Sequence, residues 1–305
     1  MKATPVVVLY GPTAVGKTSL LSSLAEYPIE IINADSRQVY RYLDIGTAKP
    51  SPDILEAVPH HCIDVRVPSA QYTVGDFVRA AERLVTEIRG RDRFPVVSGG
   101  TGYYIKHFLF GLPEGPGGFP GIRAEIRRET QSRGMGEMYR ELEFVDPDTA
   151  RRISSSDRYR IERALEVYRG AGVPLSTFRL PDRIRDDYRL FIVSCTRPKE
   201  ELYSRIDARV DSMFESGLVA ETVGVLARGF SSRDPGLKTI GYAEILAARA
   251  DGCRTLAETR DLIKRHTRRF AKRQTTFFKS LPAERTISPD LFGSIVEAIR
   301  AHFFL

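Results

Sequence analysis

Val6-Val7-Val8-Leu9-Tyr10-Gly11-Pro12-Thr13-Ala14-Val15-Gly16-Lys17-Thr18 decides the fold. Its first five residues are an apolar, largely β-branched run of strand length, and its last eight fit G-x4-G-K-[ST] without exception. A helical pattern follows from Lys17 to about Glu26. Strand, glycine-containing loop and helix, in that order, build a phosphate cradle. The glycines let backbone N–H groups turn inward around an anion, and the helix N-terminus adds its partial positive charge. Lys17 neutralises the terminal phosphate, and the Thr18 hydroxyl can ligate magnesium. The loop does not say which diphosphate it holds, because kinases, ATPases, GTPases and diphosphate-using transferases share it.

Outward from the loop, strands alternate with helices. Ile29 to Ile32 reads as a second strand, Val74 to Ile88 as an amphipathic helix, and Phe94 to Val97 as a third strand that stops at Ser98-Gly99-Gly100-Thr101. This alternation predicts an α/β fold, a P-loop NTPase-like core whose parallel sheet is flanked by helices. Between Gly111 and Gly121 five residues are Gly and three are Pro, which marks an irregular crossing. Helical segments then follow without a strand (Ile122 to Gln131, Met138 to Leu142, Arg158 to Arg169) until Tyr188 to Ser194 restores one. The expected organisation is a core made of residues 1–115 and 188–305, interrupted by an all-helical insertion over 116–187. Further helices are expected near Lys199 to Glu215, Val219 to Ala227, Ala243 to Ala248 and Leu256 to Phe278.

The 305 residues have ordinary globular composition, 42% hydrophobic and 28% charged. No apolar run approaches the length of a bilayer span and no signal-peptide pattern opens the chain, so a cytoplasmic protein with no membrane association is expected. Cys62, Cys195 and Cys253 are far apart and lack the spacing of a zinc or disulfide framework; three reduced thiols are expected. From Lys264 to Lys279 there are seven Lys or Arg and no Asp or Glu, matching the whole formal charge of +7. Arg265, Arg268, Arg269, Lys272, Arg273 and Lys279 recur there at three- and four-residue steps, so they can share a helix face along a phosphate backbone; a solvated surface is the plainer alternative.

Two further positions point at a ligand. Asp35 follows the second strand, where the carboxyl ends of a parallel sheet open onto a crevice; its carboxylate could ligate magnesium, take a proton from an acceptor or cap the next stretch of chain. Thr101 follows Gly99 and Gly100 at the end of the third, where close backbone approach to a ligand is permitted.

Taken with the phosphate loop, Asp35 to Arg41 with Asp44 to Pro50, Pro59-His60-His61 with Ile63-Asp64, Gly99-Gly100-Thr101-Gly102-Tyr103-Tyr104, Gly241-Tyr242 and Ala271-Lys272-Arg273-Gln274 resemble the successive signatures of bacterial tRNA dimethylallyltransferases, in order, along essentially the whole chain. The resemblance implies transfer of a dimethylallyl group from dimethylallyl diphosphate to the exocyclic amine of the adenosine immediately 3′ of the anticodon in tRNA; magnesium, held through Thr18, is the expected cofactor, and no obligate protein partner is evident. It further implies that Gly11, Pro12, Thr13, Ala14, Val15, Gly16, Lys17 and Thr18 hold the diphosphate together with Arg209, Thr18 through magnesium, and that Lys17, Asp35 and Thr101 serve the reaction. Contacts to the anticodon stem-loop are implied at Asp35, Ser36, Arg37, Gln38 and Thr101, at Arg123, and at Tyr159, Arg160, Ile161, Glu162 and Arg163 of the insertion. Nearer the end of the chain they are implied at Lys238, Thr239, Ile240, Gly241, Tyr242 and Ala243, and at Lys272, Arg273, Gln274, Thr275, Thr276, Phe277, Phe278 and Lys279. The chain has no Trp, where the family often places one near the final basic helix; Phe277 and Phe278 stand there instead. The alternatives are an adenylate isopentenyltransferase acting on free AMP, ADP or ATP, a small-molecule P-loop kinase, and an RNA-binding ATPase scaffold.

Overall fold

The computed structural model describes residues 3–288, 290 and 292–304. Strands β1 (Thr4–Tyr10), β2 (Ile29–Asn33), β3 (His60–His61) and β4 (Phe94–Gly99) alternate with helices α1 (Lys17–Ser22), α2 (Pro52–Ala57), α3 (Val74–Gly90) and α4 (Gly102–Phe110). Four helices follow: α5 (Pro120–Arg133), α6 (Met135–Val145), α7 (Pro147–Ala150) and α8 (Arg158–Ala171). Strand β5 (Tyr188–Cys195) returns to the sheet, and α9 (Lys199–Glu215), α10 (Leu218–Ala227), α11 (Tyr242–Asp251), α12 (Leu256–Phe278), β6 (Arg285–Ile287) and α13 (Phe292–Phe304) complete the chain.

The strands form one parallel sheet in the order β3-β2-β4-β1-β5-β6. Val6 to Tyr10 are all fully buried, as an unbroken apolar strand in the middle of a covered parallel sheet must be. From β1 the chain passes over the place later filled by β4 to reach β2, whereas β5 lies on the other side of β1. The loops after β1 and β4 therefore diverge and leave a crevice at the carboxyl ends of the strands. The P-loop NTPase-like fold expected from the sequence is the one observed.

Helix α1 is shorter than its pattern, ending at Ser22 rather than near Glu26. Leu24, Ala25 and Tyr27 donate their backbone N–H groups three residues back rather than four, tightening the chain ahead of Pro28. Helix α3 begins in a capping box between Thr73 and Asp76, and α12 in another between Thr255 and Glu258.

The chain divides into two compact units, one running to Leu109 and resuming at Arg185, the other Phe110–Ile184. The Gly/Pro-rich crossing, expected in part to belong to the core, goes with the smaller unit. Its carbonyls at Pro116 and Gly117 accept from Arg163, and the Phe119 N–H donates to Glu166. Ile126, Met138, Leu142, Ile161, Ala164 and Leu165 form that unit's own apolar core.

Candidate active site

A cavity of about 680 Å³ lies in the larger unit at the carboxyl ends of β1, β2 and β4, and its wall includes the phosphate loop, Asp35 to Gln38, Ser98 to Thr101, Arg209 and Lys238 to Ile240. The loop's shape follows from its sequence. Ala14 and Gly16 have φ of 62° and 112°, and a Cβ on Gly11 would lie 2.6 Å from the Cys195 carbonyl oxygen. Lys17 Nζ donates to the carbonyls of Gly11 and Pro12 at 2.8 and 3.0 Å. Burial holds the Lys17 ammonium down to a pKa of about 8, partly countered by its neighbours Cys195 and Asp35. The same burial pushes the Cys195 thiol up to about 11.

Helix α9 brings two arginines, one turn apart, to this loop. Arg209 Nη1 donates to Thr13 Oγ1 at 3.2 Å, and Arg205 Nε donates to the Ala14 carbonyl at 2.9 Å. Burial lowers the Arg209 pKa, while Asp35 acts to raise it, so Lys17, Arg209 and Asp35 lie within one another's fields. Arg205 escaped the sequence reading, although its spacing four residues before Arg209 on an expected helix puts both on one face. Arg197 also reaches the loop, donating to the Val15 carbonyl at 2.6 Å, but its charge is met by Glu201 and Asp290.

On the acceptor side, Asp35 Oδ1 caps the following turn, accepting from the N–H groups of Arg37 (2.8 Å) and Gln38 (3.4 Å). Thr101 Oγ1 accepts from Ser36 N–H at 2.9 Å and donates to Ser36 Oγ at 3.2 Å, tying the β4 loop to the β2 loop. Gln38 is likewise engaged, donating to the carbonyls of Thr47 and Ala48 and accepting from Asn33. Arg37 is exposed and reaches the Pro235 carbonyl at 3.3 Å.

The polar stretch from Asp44 to Lys49 is a frame for the cavity wall. Glu221 accepts from the N–H groups of Asp44, Ile45 and Gly46, the Tyr242 hydroxyl donates to Glu221 and accepts from Gly46 N–H, and Lys49 bridges Asp44 and Asp64. A Cβ on Gly46 would lie 2.4 Å from the Tyr242 ring, which explains the glycine.

The stretches expected to touch RNA therefore divide by burial. Tyr242, Thr239, Gln274 and Phe278 are buried in the larger unit, and Ile161 and Glu162 in the smaller. Tyr242 serves the frame just described. Thr239 donates to the Gly236 carbonyl, Phe278 packs at a tilt against Tyr10 with 4.9 Å between ring centroids, Ile161 is core, and Glu162 pairs with Arg158 and Arg127. The side chains of Tyr242, Phe278, Ile161 and Glu162 are closed to an external ligand, whereas Thr239 and Gln274, though mostly buried, line the cavity. Arg123 and Arg163 both pair with the fully buried Glu166, whereas Tyr159 and Arg160 are exposed. Lys238 is exposed, Ile240 lines the cavity, and Gly241 and Ala243 form the start of α11.

Helix α12 corrects the expected basic face. Lys264 and Arg268 turn to Asp211 and Asp207 of α9 at 2.7 and 2.6 Å. Arg265, Arg269, Lys272, Arg273 and Lys279 are exposed and make no ion pair with the described residues; Arg265, Arg269, Lys272 and Lys279 form with Thr276 an outward stripe at helical spacing, whereas Arg273 lines the cavity. Thr275 and Thr276 return their hydroxyls to carbonyls one turn back, and the Phe277 ring covers Gly102, where a Cβ would lie 2.4 Å from it. The cysteines are unbridged, two of them buried.

Residues 38–281 match the family described as IPP transferase. The tRNA dimethylallyltransferase of Geobacter sulfurreducens is 43% identical over 99% of this chain and 97% of its own, and tRNA dimethylallyltransferase 1 of Citrifermentans bemidjiense is 47% identical over 91% and 90%. Among solved structures, the tRNA isopentenylpyrophosphate transferase of Bacillus halodurans superposes with a TM-score of 0.71 at 34% identity, covering 98% of this chain and 96% of its own. A eukaryotic dimethylallyltransferase described as acting on tRNA superposes at 0.76 with 26% identity over 90% and 70%. Given a match that spans most of its length and relatives this similar from end to end, the chain belongs to the IPP transferase family.

Proposed function

We propose that this protein transfers the dimethylallyl group of dimethylallyl diphosphate to the exocyclic amine of the adenosine immediately 3′ of the anticodon in tRNA. The observation that carries the reading is one cavity with a diphosphate cradle and a carboxylate on facing loops, in a chain whose relatives are named for this transfer. The exposed cationic stripe of α12 supports a polyanionic acceptor over a free nucleotide. Tyr159 and Arg160, exposed in the Phe110–Ile184 unit, support a second grip on the RNA there.

An adenine amine is a weak nucleophile, because its lone pair is delocalised into the ring, so both partners need help. As N6 bonds to the allylic carbon, the carbon–oxygen bond to the diphosphate breaks and its electrons pass to the leaving group. The loop N–H groups, Lys17 and Arg209 meet the charge developing there. The oxyanion also supplies the Lys17 ammonium with the counter-charge that burial denies it. Asp35 uses Oδ1 for its own turn, and Oδ2 accepts no hydrogen bond from the described residues; it is the atom we assign to orient the amine and take its proton. Thr101 holds Ser36, and through it the Asp35 turn, in place. Thr18 lines the cavity beside Lys17, and its hydroxyl would hold a magnesium ion, whose charge would help offset that on the leaving group. The base must leave its stack to be reached, which costs a few kcal/mol, offset by contacts in the cavity. The reaction belongs in the cytoplasm with its tRNA, and among the described residues no helix is long and apolar enough to cross a membrane.

Incubation with labelled dimethylallyl diphosphate and either tRNA, AMP or ADP tests this reading. Label on tRNA alone is expected; label on the free nucleotide would make the protein an adenylate isopentenyltransferase, and label on neither would remove the transferase reading.

A further inference from the structure

The inner face of α12 closes over the loops that build the cavity. Gln274, two residues after the outward Lys272 and next to the cavity-lining Arg273, is buried with both ends of its amide engaged: Oε1 accepts from Thr13 N–H at 2.9 Å and Nε2 donates to the Gly100 carbonyl at 2.7 Å. Each partner leads to a different half of the site. Thr13 belongs to the phosphate loop and holds Arg209 through its hydroxyl. Gly100 precedes Thr101, whose hydroxyl fixes Ser36 beside Asp35. The fit is close, since a Cβ on Gly100 would lie 2.8 Å from Gln274 Nε2.

We infer that Gln274 is a positioning residue that couples polyanion binding on the outer face of α12 to diphosphate binding in the loop on its inner face. A helix is stiff over one turn, whereas glycine-containing loops are soft. An RNA backbone that fixes Arg269 and Lys272 restrains Gln274, and the two amide bonds pass that restraint to Thr13 and Gly100. The loop is then already ordered when the diphosphate arrives, which raises its affinity; by linkage the diphosphate raises RNA affinity by the same factor. The side chain suits this task better than its neighbours in size. Leucine would leave the half-buried Thr13 N–H and the buried Gly100 carbonyl without partners, and glutamate would set a carboxylate against the Gly100 carbonyl. The inference rests on the proposed function for the identity of the RNA, but its diphosphate half does not need the transfer reaction.

The test measures the dissociation constant of inorganic diphosphate, with and without a saturating anticodon stem-loop RNA, in the wild type, Gln274→Leu and Gln274→Glu. The wild type should bind diphosphate at least about fivefold tighter with RNA present. In both variants that ratio should fall to about one and diphosphate affinity should drop about tenfold, while RNA affinity and its salt dependence stay within about twofold of wild type. A merely structural residue would change stability without changing the ratio. The inference is overturned if the variants keep the wild-type ratio, if the wild type shows none, or if RNA affinity falls with a shallower salt slope, which would make Gln274 a direct RNA contact. Should Gln274→Leu fail to fold, Gln274→Glu, which keeps size and the acceptor toward Thr13, decides the matter. Hydrogen exchange at the wild-type Thr13 amide, expected to slow on RNA binding, decides it without a variant. Failure of the transferase reading is a separate result, no transfer of label by the wild type, and leaves the ratio measurable.

Discussion

Diphosphate binding should take up a proton near pH 8. Burial lowers the Lys17 pKa from the ordinary 10.5 to about 8, so at pH 7 roughly nine in ten Lys17 side chains carry the charge that a diphosphate needs. At pH 9 about one in eleven does. If the bound anion restores the pKa to its ordinary range, the dissociation constant of dimethylallyl diphosphate should rise about tenfold from pH 7 to pH 9, and calorimetry in buffers of different ionisation enthalpy should report about 0.9 proton taken up per site at pH 9 and about 0.1 at pH 7. Of the groups facing Lys17, the Cys195 thiol titrates at about 11, above this window. Lys17→Arg should flatten the pH profile, because a guanidinium stays charged and any ionisation of the ligand is common to both proteins. The same shift acts on stability with a definite sign. The unfolded chain holds the proton more tightly between pH 8 and 10.5, so the burden on the fold is full below pH 8 and is relieved as pH rises through that window; its ceiling is about 3 kcal/mol. A flat dissociation constant from pH 7 to 9 in the wild type, with no proton uptake at pH 9, would refute the reasoning.

Asp35→Asn should lower the single-turnover transfer rate by roughly 10²–10⁴, with diphosphate affinity little changed; a loss of magnesium-dependent diphosphate binding instead would give the carboxylate to the metal. Neutralising Arg265, Arg269 and Lys272 together should reduce the salt slope of RNA binding by about three, whereas neutralising Lys264 or Arg268, which face Asp211 and Asp207, should change thermal stability and leave the slope almost unaltered. Gly99→Ala should prevent folding of the larger unit, because its Cβ would lie 2.1 Å from the Ala34 carbonyl oxygen; soluble protein with native circular dichroism would contradict that.

The phosphate cradle, the parallel sheet and the helical segment after the crossing were legible because each is written in a local pattern: a spaced set of glycines, an apolar run, a 3.6-residue period. Strands β3 and β6, of two and three residues, carry no such pattern and exist only through pairing with β2 and β5. The site was legible in its residue types more than in their roles. Gln274 reads as one polar residue in a basic helix, and its partner Thr13 lies 261 positions away, a distance no spacing rule spans. Asp44 to Lys49 looks like ligand chemistry because it is polar and specific, yet Glu221 and Tyr242, far along the chain, make it a scaffold. The partial neutralisation of α12 was within reach. Asp207 and Asp211 are four residues apart on an expected helix, as are Lys264 and Arg268, so the two pairs had matching stripes to offer one another.

The most direct test of the central claim is to map the product. Wild-type protein, labelled dimethylallyl diphosphate and a tRNA with adenosine 3′ of its anticodon are allowed to react, and the tRNA is digested and analysed by mass spectrometry. The account predicts N6-dimethylallyladenosine at that one position, diphosphate released in equal amount, and no label on the RNA when the adenosine is replaced by guanosine. Label at other positions, label that survives the replacement, or diphosphate released without any prenylated nucleoside would contradict it.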